Sequence, residues 1–254
     1  MLKPSTIIRL AVLALTCNAA FAQQRVPWTT SRIHGTPEPP PPFVVERIFP
    51  GLTFEKPLDV TPIPGTNRLV VLEETGRMFS FVPGADVTKA DAFGELTAFE
   101  PEVVRSYALT FHPRFAENRF VFTWLNLDQH GADNREDGTK IVRFRVTDEN
   151  PPRLDLSSAK IIITWRAGGH NGGNLRFGPD GMLYISTGDA TKPDPPDVSV
   201  TGQDISDLLS SVLRIDVDHT DGDEGYGIPK DNPFIAVPEA RGEVWAYGLR
   251  NPWR

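Results

Sequence analysis

A short phrase recurs along this 254-residue chain and constrains its fold more than any other feature. Leu109-Thr110-Phe111-His112-Pro113 is echoed by Leu175-Arg176-Phe177-Gly178-Pro179, with a weaker copy at Val60-Thr61-Pro62-Ile63-Pro64. Each copy leads through a turn into a strand-like run: Arg68 to Leu72, Arg119 to Trp124 and Met182 to Ser186. A second run comes after it in each unit: Arg77 to Phe81, Val142 to Val146 and Leu213 to Val217. These runs alternate apolar and polar residues, the pattern of half-buried strands. A small antiparallel sheet repeated about every 50–70 residues describes propeller blades. The expected class is therefore all-β, a β-propeller. An immunoglobulin-like sandwich is the alternative, but it has no need of an internal echo. The 24 Pro and 21 Gly are dispersed, which suits short strands joined by turns. Roughly three blades and the start of a fourth fit between Phe43 and Arg254, at about 40–50 residues or more per blade. A closed ring takes about four to eight. The chain thus reads as an N-terminal portion of a propeller with its ring incomplete.

The first residues have the form of a secretory leader. Lys3 and Arg9 make a positive start, Leu10 to Thr16 a short apolar stretch, and Ala20-Phe21-Ala22 a cleavage site before Gln23. The apolar stretch is too short for a transmembrane helix, and no membrane span is expected in the mature chain. The only cysteine, Cys17, lies inside the leader, so the mature chain can build no disulfide framework. A lipoprotein reading of Cys17 is weak, because Thr16 precedes it where a small residue belongs. Residues 23–42 are polar and end in four consecutive prolines, an extended linker. The organisation read is leader 1–22, linker 23–42 and propeller 43–254, in a secreted or periplasmic protein. Loss of Lys3 and Arg9 takes the formal charge from -7 to -9. That charge, with no basic stripe, argues against a nucleic-acid partner.

His170 is the residue with the most chemical content. It sits in Gly168-Gly169-His170-Asn171-Gly172-Gly173. Glycine lets another group approach the backbone closely, and His is the commonest general base near neutral pH. The loop is not a phosphate cradle, since no helix start comes after it. His112 reads as a turn residue of the echo. Asp216, Asp218, Asp221, Asp223 and Glu224 cluster without EF-hand spacing and read as a solvated loop.

From Gly169 through Asp189 the chain resembles the soluble quinoprotein glucose/sorbosone dehydrogenases, also called aldose sugar dehydrogenases. The resemblance continues through Gly202-Gln203-Asp204, Val212 to Asp216, Tyr226 to Phe234 and Glu243 to Pro252, and more loosely through Phe111 to Phe115. It implies a six-bladed propeller using pyrroloquinoline quinone (PQQ) and Ca2+, a sugar substrate, and an electron acceptor that the sequence does not name. By resemblance His170 is the base, and Asp189 is the acidic residue beside it. Arg250 and Asn251 match the family's Arg-Asn at the cofactor, and an Arg fork suits a carboxylate or quinone oxygen. Asp189 could equally cap a turn after its strand. The calcium ligands and further PQQ-binding cations lie beyond this motif in the family, so no metal ligand is assigned.

The chain departs from the family at Glu102 to Leu109, where members often carry a Gln in a Gly-rich stretch. Two function classes stay open. One is oxidation of an aldose at C1 to the lactone, by hydride transfer to the quinone. The other is a non-catalytic propeller binding a protein or glycan partner. A propeller lactonase would need a convergent Glu/Asn/Asp metal set, which the sequence does not offer.

Overall fold

The structure, a computed structural model, describes residues 44–127, 135–192, 194, 199–220 and 225–253. The leader, the linker, Phe43 and the acidic residues Asp221, Asp223 and Glu224 lie outside them. The chain divides into two compact units, Met1–Glu46 and Arg47–Arg254. The second unit carries every strand of the described residues.

Among the described residues, twelve strands form three four-stranded antiparallel sheets in strict sequence order. Blade 1 holds β1 (Pro57–Pro62), β2 (Leu69–Glu73), β3 (Arg77–Phe81) and β4 (Asp91–Glu95). Blade 2 holds β5 (Leu109–Phe111), β6 (Phe120–Asn126), β7 (Thr139–Val146) and β8 (Leu154–Trp165). Blade 3 holds β9 (Gly172–Phe177), β10 (Leu183–Thr187), β11 (Ser211–Ile215) and β12 (Val244–Tyr247). These are propeller blades, and the three of them do not close a ring. Each echo closes the first strand of its blade and turns into the second. In blade 3 the turn is held by Gly178 N–H to Met182 O at 2.9 Å and by Met182 N–H to Asp180 Oδ1 at 3.1 Å. Proline suits this place because it has no N–H to give a ladder.

Alternation decides what each strand buries. In β6, Phe122 and Trp124 point into a cluster with Leu175, Ile185 and Leu213 of blade 3. Val121 and Leu125, on the other face, join Leu72, Met78 and Phe93 of blade 1. Blade 2 is therefore buried on both faces and is the middle blade. Trp124 is fully buried, and truncating such a side chain costs about 3–5 kcal/mol.

The first strands line the inner edge. Asp59 of β1 accepts Leu109 N–H of β5 at 3.1 Å, and Arg176 of β9 approaches it at 3.9 Å. One carboxylate thus touches the inner strands of all three blades. Among the described residues no helix is long and apolar enough to cross a membrane.

Candidate active site

His170 and Asp189 come from neighbouring segments, the β8–β9 connection and the start of the β10–β11 loop. Backbone bonds lay them side by side: His170 N–H to Thr191 O at 3.0 Å, Ala190 N–H to His170 O at 2.8 Å and Gly188 N–H to Asn171 O at 3.0 Å. Glycine makes this approach possible. A Cβ on Gly168 would lie 1.7 Å from Ala190 O, so any side chain there would force the segments apart. The Asn171 amide closes the loop, accepting Gly168 N–H at 2.9 Å and donating to Gly168 O at 2.8 Å.

The result is a buried pair. His170 Nδ1 lies 2.9 Å from Asp189 Oδ1, and the two residues are 6% and 2% exposed. Asp189 Oδ1 also accepts Thr191 N–H at 2.8 Å. The two roles weighed for Asp189, orienting the histidine and capping its own turn, thus coexist on one oxygen. Asp189 Oδ2 is buried with no hydrogen-bond partner among the described residues. With Nδ1 facing a carboxylate, the geometry suits the Nδ1–H tautomer, in which Nε2 carries the lone pair. Nε2 has no protein partner among the described residues and is not among the buried unpaired atoms, so it reaches the surface.

Arg250 and Asn251 reach the same place. Asp189 N–H donates to Arg250 O at 2.9 Å, and Gly172 N–H donates to Asn251 Oδ1 at 3.0 Å. The Arg250 side chain is exposed and makes no ion pair among the described residues. The Asn251 oxygen is taken by the histidine loop, which leaves its Nδ2 without a protein partner among the described residues. Ser186 Oγ–H to Pro252 O at 3.2 Å continues the seam. All four sequence-predicted residues are therefore brought together: His170 and Asp189 meet through their side chains, Arg250 joins by its carbonyl on Asp189 N–H, and Asn251 by its side-chain oxygen on Gly172 N–H.

Sequence reasoning did not single out Asn171, Thr191 or Tyr107. Asn171 and Thr191 act through backbone bonds that no residue pattern announces. Several residues of the quoted motifs turn out to hold the blade. Buried Arg214 bonds Asp180 at 3.0 Å, Asp231 at 2.7 Å and Asn232 at 2.8 Å, and lies over the Trp245 ring. The Asp231 bond, followed by that of Asp180, keeps its guanidinium well above the usual range despite burial. Glu243 accepts the Tyr226 hydroxyl and pairs with Arg241, each at 2.6 Å. Burial pushes its carboxyl up, but these partners prevail and hold it below the usual value.

His112 stands at the opposite end of the blades as a structural turn residue. Its Nδ1 accepts Arg114 N–H at 3.0 Å and Asn118 Nδ2 at 2.8 Å. Its Nε2 lies 3.2 Å from Asp218 Oδ1 but off the axis of a hydrogen bond. In the acidic loop, Asp216 binds His219 at 2.8 Å and Asp218 pairs with Arg114 at 2.7 Å. Among the described residues no group of three or more His, Cys, Asp or Glu could hold a metal ion.

Residues 54–253 match the family model of Glucose / Sorbosone dehydrogenase. The chain is 29% identical over 202 residues to the Hedgehog-interacting protein of Homo sapiens, covering 75% of this chain and 28% of that protein. It is 33% identical over 141 residues to the aldose sugar dehydrogenase YliI of Escherichia coli K12, covering 55% and 34%. Among solved structures, the PQQ-bound form of an aldose sugar dehydrogenase from Streptomyces coelicolor superposes with a TM-score of 0.58 at 23% identity. That match covers 82% of this chain and 55% of that one. The chain thus spans about a third of these curated relatives and about half of the solved propeller. The match to the family model over 54–253 takes in all three blades and the His170 site, and the chain belongs to the Glucose / Sorbosone dehydrogenase family.

Proposed function

We propose that the whole protein oxidises an aldose at C1 to the lactone, with PQQ as hydride acceptor and His170 as the base. One observation carries this reading: a buried His–Asp pair whose imidazole Nε2 reaches the surface, with the Arg250 carbonyl on Asp189 N–H. When the C1 hydride leaves an aldose, the hydroxyl proton must leave with it. Neutral Nε2 of His170 takes that proton. Asp189, fixed by Thr191 N–H, holds the ring in the Nδ1–H tautomer and stabilises the imidazolium that forms.

The residues present fit part of the cofactor's demands. PQQ is a tri-acid and, when bound, supplies the hydride-accepting quinone. Arg250, whose carbonyl accepts Asp189 N–H, has an exposed guanidinium with no ion pair among the described residues, suited to a carboxylate. Asn251, its oxygen anchored on Gly172, turns its amide nitrogen outward as a donor. No residue is assigned to Ca2+, because the described residues gather no metal-binding group.

The second reading is a propeller that binds a protein or glycan without catalysis. It is favoured by the likeness to Hedgehog-interacting proteins and by the Glu102–Leu109 stretch, which lacks the family's Gln. We further propose that residues 1–22 are a leader and that the protein is exported. The deciding experiment supplies PQQ and calcium to the whole protein and measures dye-linked oxidation across a panel of aldoses. Cofactor binding with turnover supports the enzyme; neither with any aldose leaves the binding propeller.

A further inference from the structure

Tyr107 and Gly173 occupy equivalent places in the echo, each two residues before its leucine. They also touch. A Cβ on Gly173 would lie 2.6 Å from Tyr107 Cβ and 2.8 Å from Cγ. The side chain missing from blade 3 is the space that the blade 2 side chain fills. Gly173 has φ +130, a conformation that side chains rarely adopt. Knob and hole are thus specified from both sides.

Tyr107 is 4% exposed and held on every flank. Its ring stands edge-on to Trp253 at 5.3 Å and to Trp124 at 6.2 Å. Its hydroxyl lies near Arg105, which pairs with Glu74 of the β2–β3 turn at 2.9 Å. Ser106 N–H donates to Glu74 O at 2.8 Å. Contact therefore runs from blade 1 through Tyr107 to the glycine pair that ends the His170 loop. From the other side the loop is gripped by Asn251 on Gly172.

We propose that Tyr107 is a positioning residue for the His170–Asp189 pair: its ring, seated in the Gly173 hole, fixes the loop that carries the imidazole. This rests on the reading of that pair as the proton-accepting centre. A base must sit within hydrogen-bond reach of the proton it takes, and a displacement of about 1 Å can cost about 10²-fold in rate.

The test reads the imidazole itself. Long-range 1H–15N spectra of histidine-labelled protein near neutral pH, assigned by difference with His170→Gln, report which ring nitrogen of His170 carries the proton. The wild type should show a protonated Nδ1 and a bare Nε2. Tyr107→Ala should replace this with tautomer-averaged signals, and Tyr107→Phe, which keeps the ring, should restore it. If Tyr107→Ala does not fold, Tyr107→Leu is read in its place. Leu72→Ala, fully buried in blade 1, should lose stability yet keep the His170 signature. Where turnover is measured, it should fall about 10²-fold in Tyr107→Ala and recover in Tyr107→Phe. A wild-type signature in Tyr107→Ala or Tyr107→Leu, or its equal loss in Leu72→Ala, would overturn the proposal. A protein whose signature behaves as described but oxidises no sugar would sink the enzyme reading and leave the positioning intact.

Discussion

Asp189 Oδ1 meets His170 Nδ1 at 2.9 Å while accepting Thr191 N–H at 2.8 Å, so one buried oxygen fixes both a turn and the face of an imidazole. Asp189→Asn keeps an acceptor for the backbone and loses the charge. Thr191 N–H keeps the amide oxygen at this position, so the ring still donates from Nδ1, but the imidazolium that forms has lost its carboxylate. Turnover should fall about 10²–10⁴-fold, the range for a positioned base, while cofactor binding changes little. The 15N spectrum of His170 should keep its proton on Nδ1. An unchanged rate would contradict the role of the Asp189 charge in stabilising the imidazolium.

Arg250 contributes its carbonyl to the pair and its side chain to the outside. Arg250→Ala therefore spares the Asp189 N–H bond. PQQ affinity, followed by absorbance titration, should weaken by about tenfold or more, as for loss of a charge-assisted bond. Thermal stability should stay within about 0.5 kcal/mol, as for exposed sites generally. Equal affinity in the variant would remove Arg250 from the cofactor site.

His112 links stability to pH. Burial pushes its imidazole below the usual 6.5, Asp218 opposes this, and Arg114 and Arg143 reinforce it. The unfolded chain then takes up the proton first as pH falls. Stability should be complete above about 6.5 and decline below it, until the folded ring protonates in turn. Denaturant unfolding at pH 7.5 and 5.5 should show this loss, and His112→Gln should flatten it. An unchanged slope in His112→Gln would assign the effect to other groups.

Export predicts a defined start. N-terminal sequencing of secreted protein should begin at Gln23, after Ala20-Phe21-Ala22. An intact Met1 in the soluble cytoplasmic fraction would contradict the leader.

Much of the fold was legible because alternation reports burial directly. Arg77 to Phe81 coincides with β3, and Met182 to Ser186 lies one residue from β10. The outer strands were not read. In β4, Asp-Ala-Phe-Gly-Glu buries only Phe93, so its pattern is faint. Three residues of β12 are exposed. Strand β8 was missed although it is the longest, because bulges break its register with β7 and its alternation with it. The folded part was expected from Phe43, which lies outside the described residues; the first strand among them begins at Pro57.

His170 was singled out from its glycine frame, whereas Asp189, Arg250 and Asn251 were named only through the resemblance. His170 and Asp189 lie 19 residues apart, and no local period reports a bond between two loops. Tyr107 escaped because its stretch was judged by the Gln and Gly it lacks. Its partner Gly173 is 66 residues away in the sequence, and only the packing of blade on blade brings them together.

The central claim is that His170 takes the proton, and the most direct test is turnover of His170→Ala in the whole protein, with PQQ binding followed in parallel. Turnover should drop about 10²–10⁴-fold while PQQ affinity stays near that of the wild type, because the cofactor's proposed partners Arg250 and Asn251 are untouched. A variant that binds PQQ and oxidises its aldose at the wild-type rate would contradict the account.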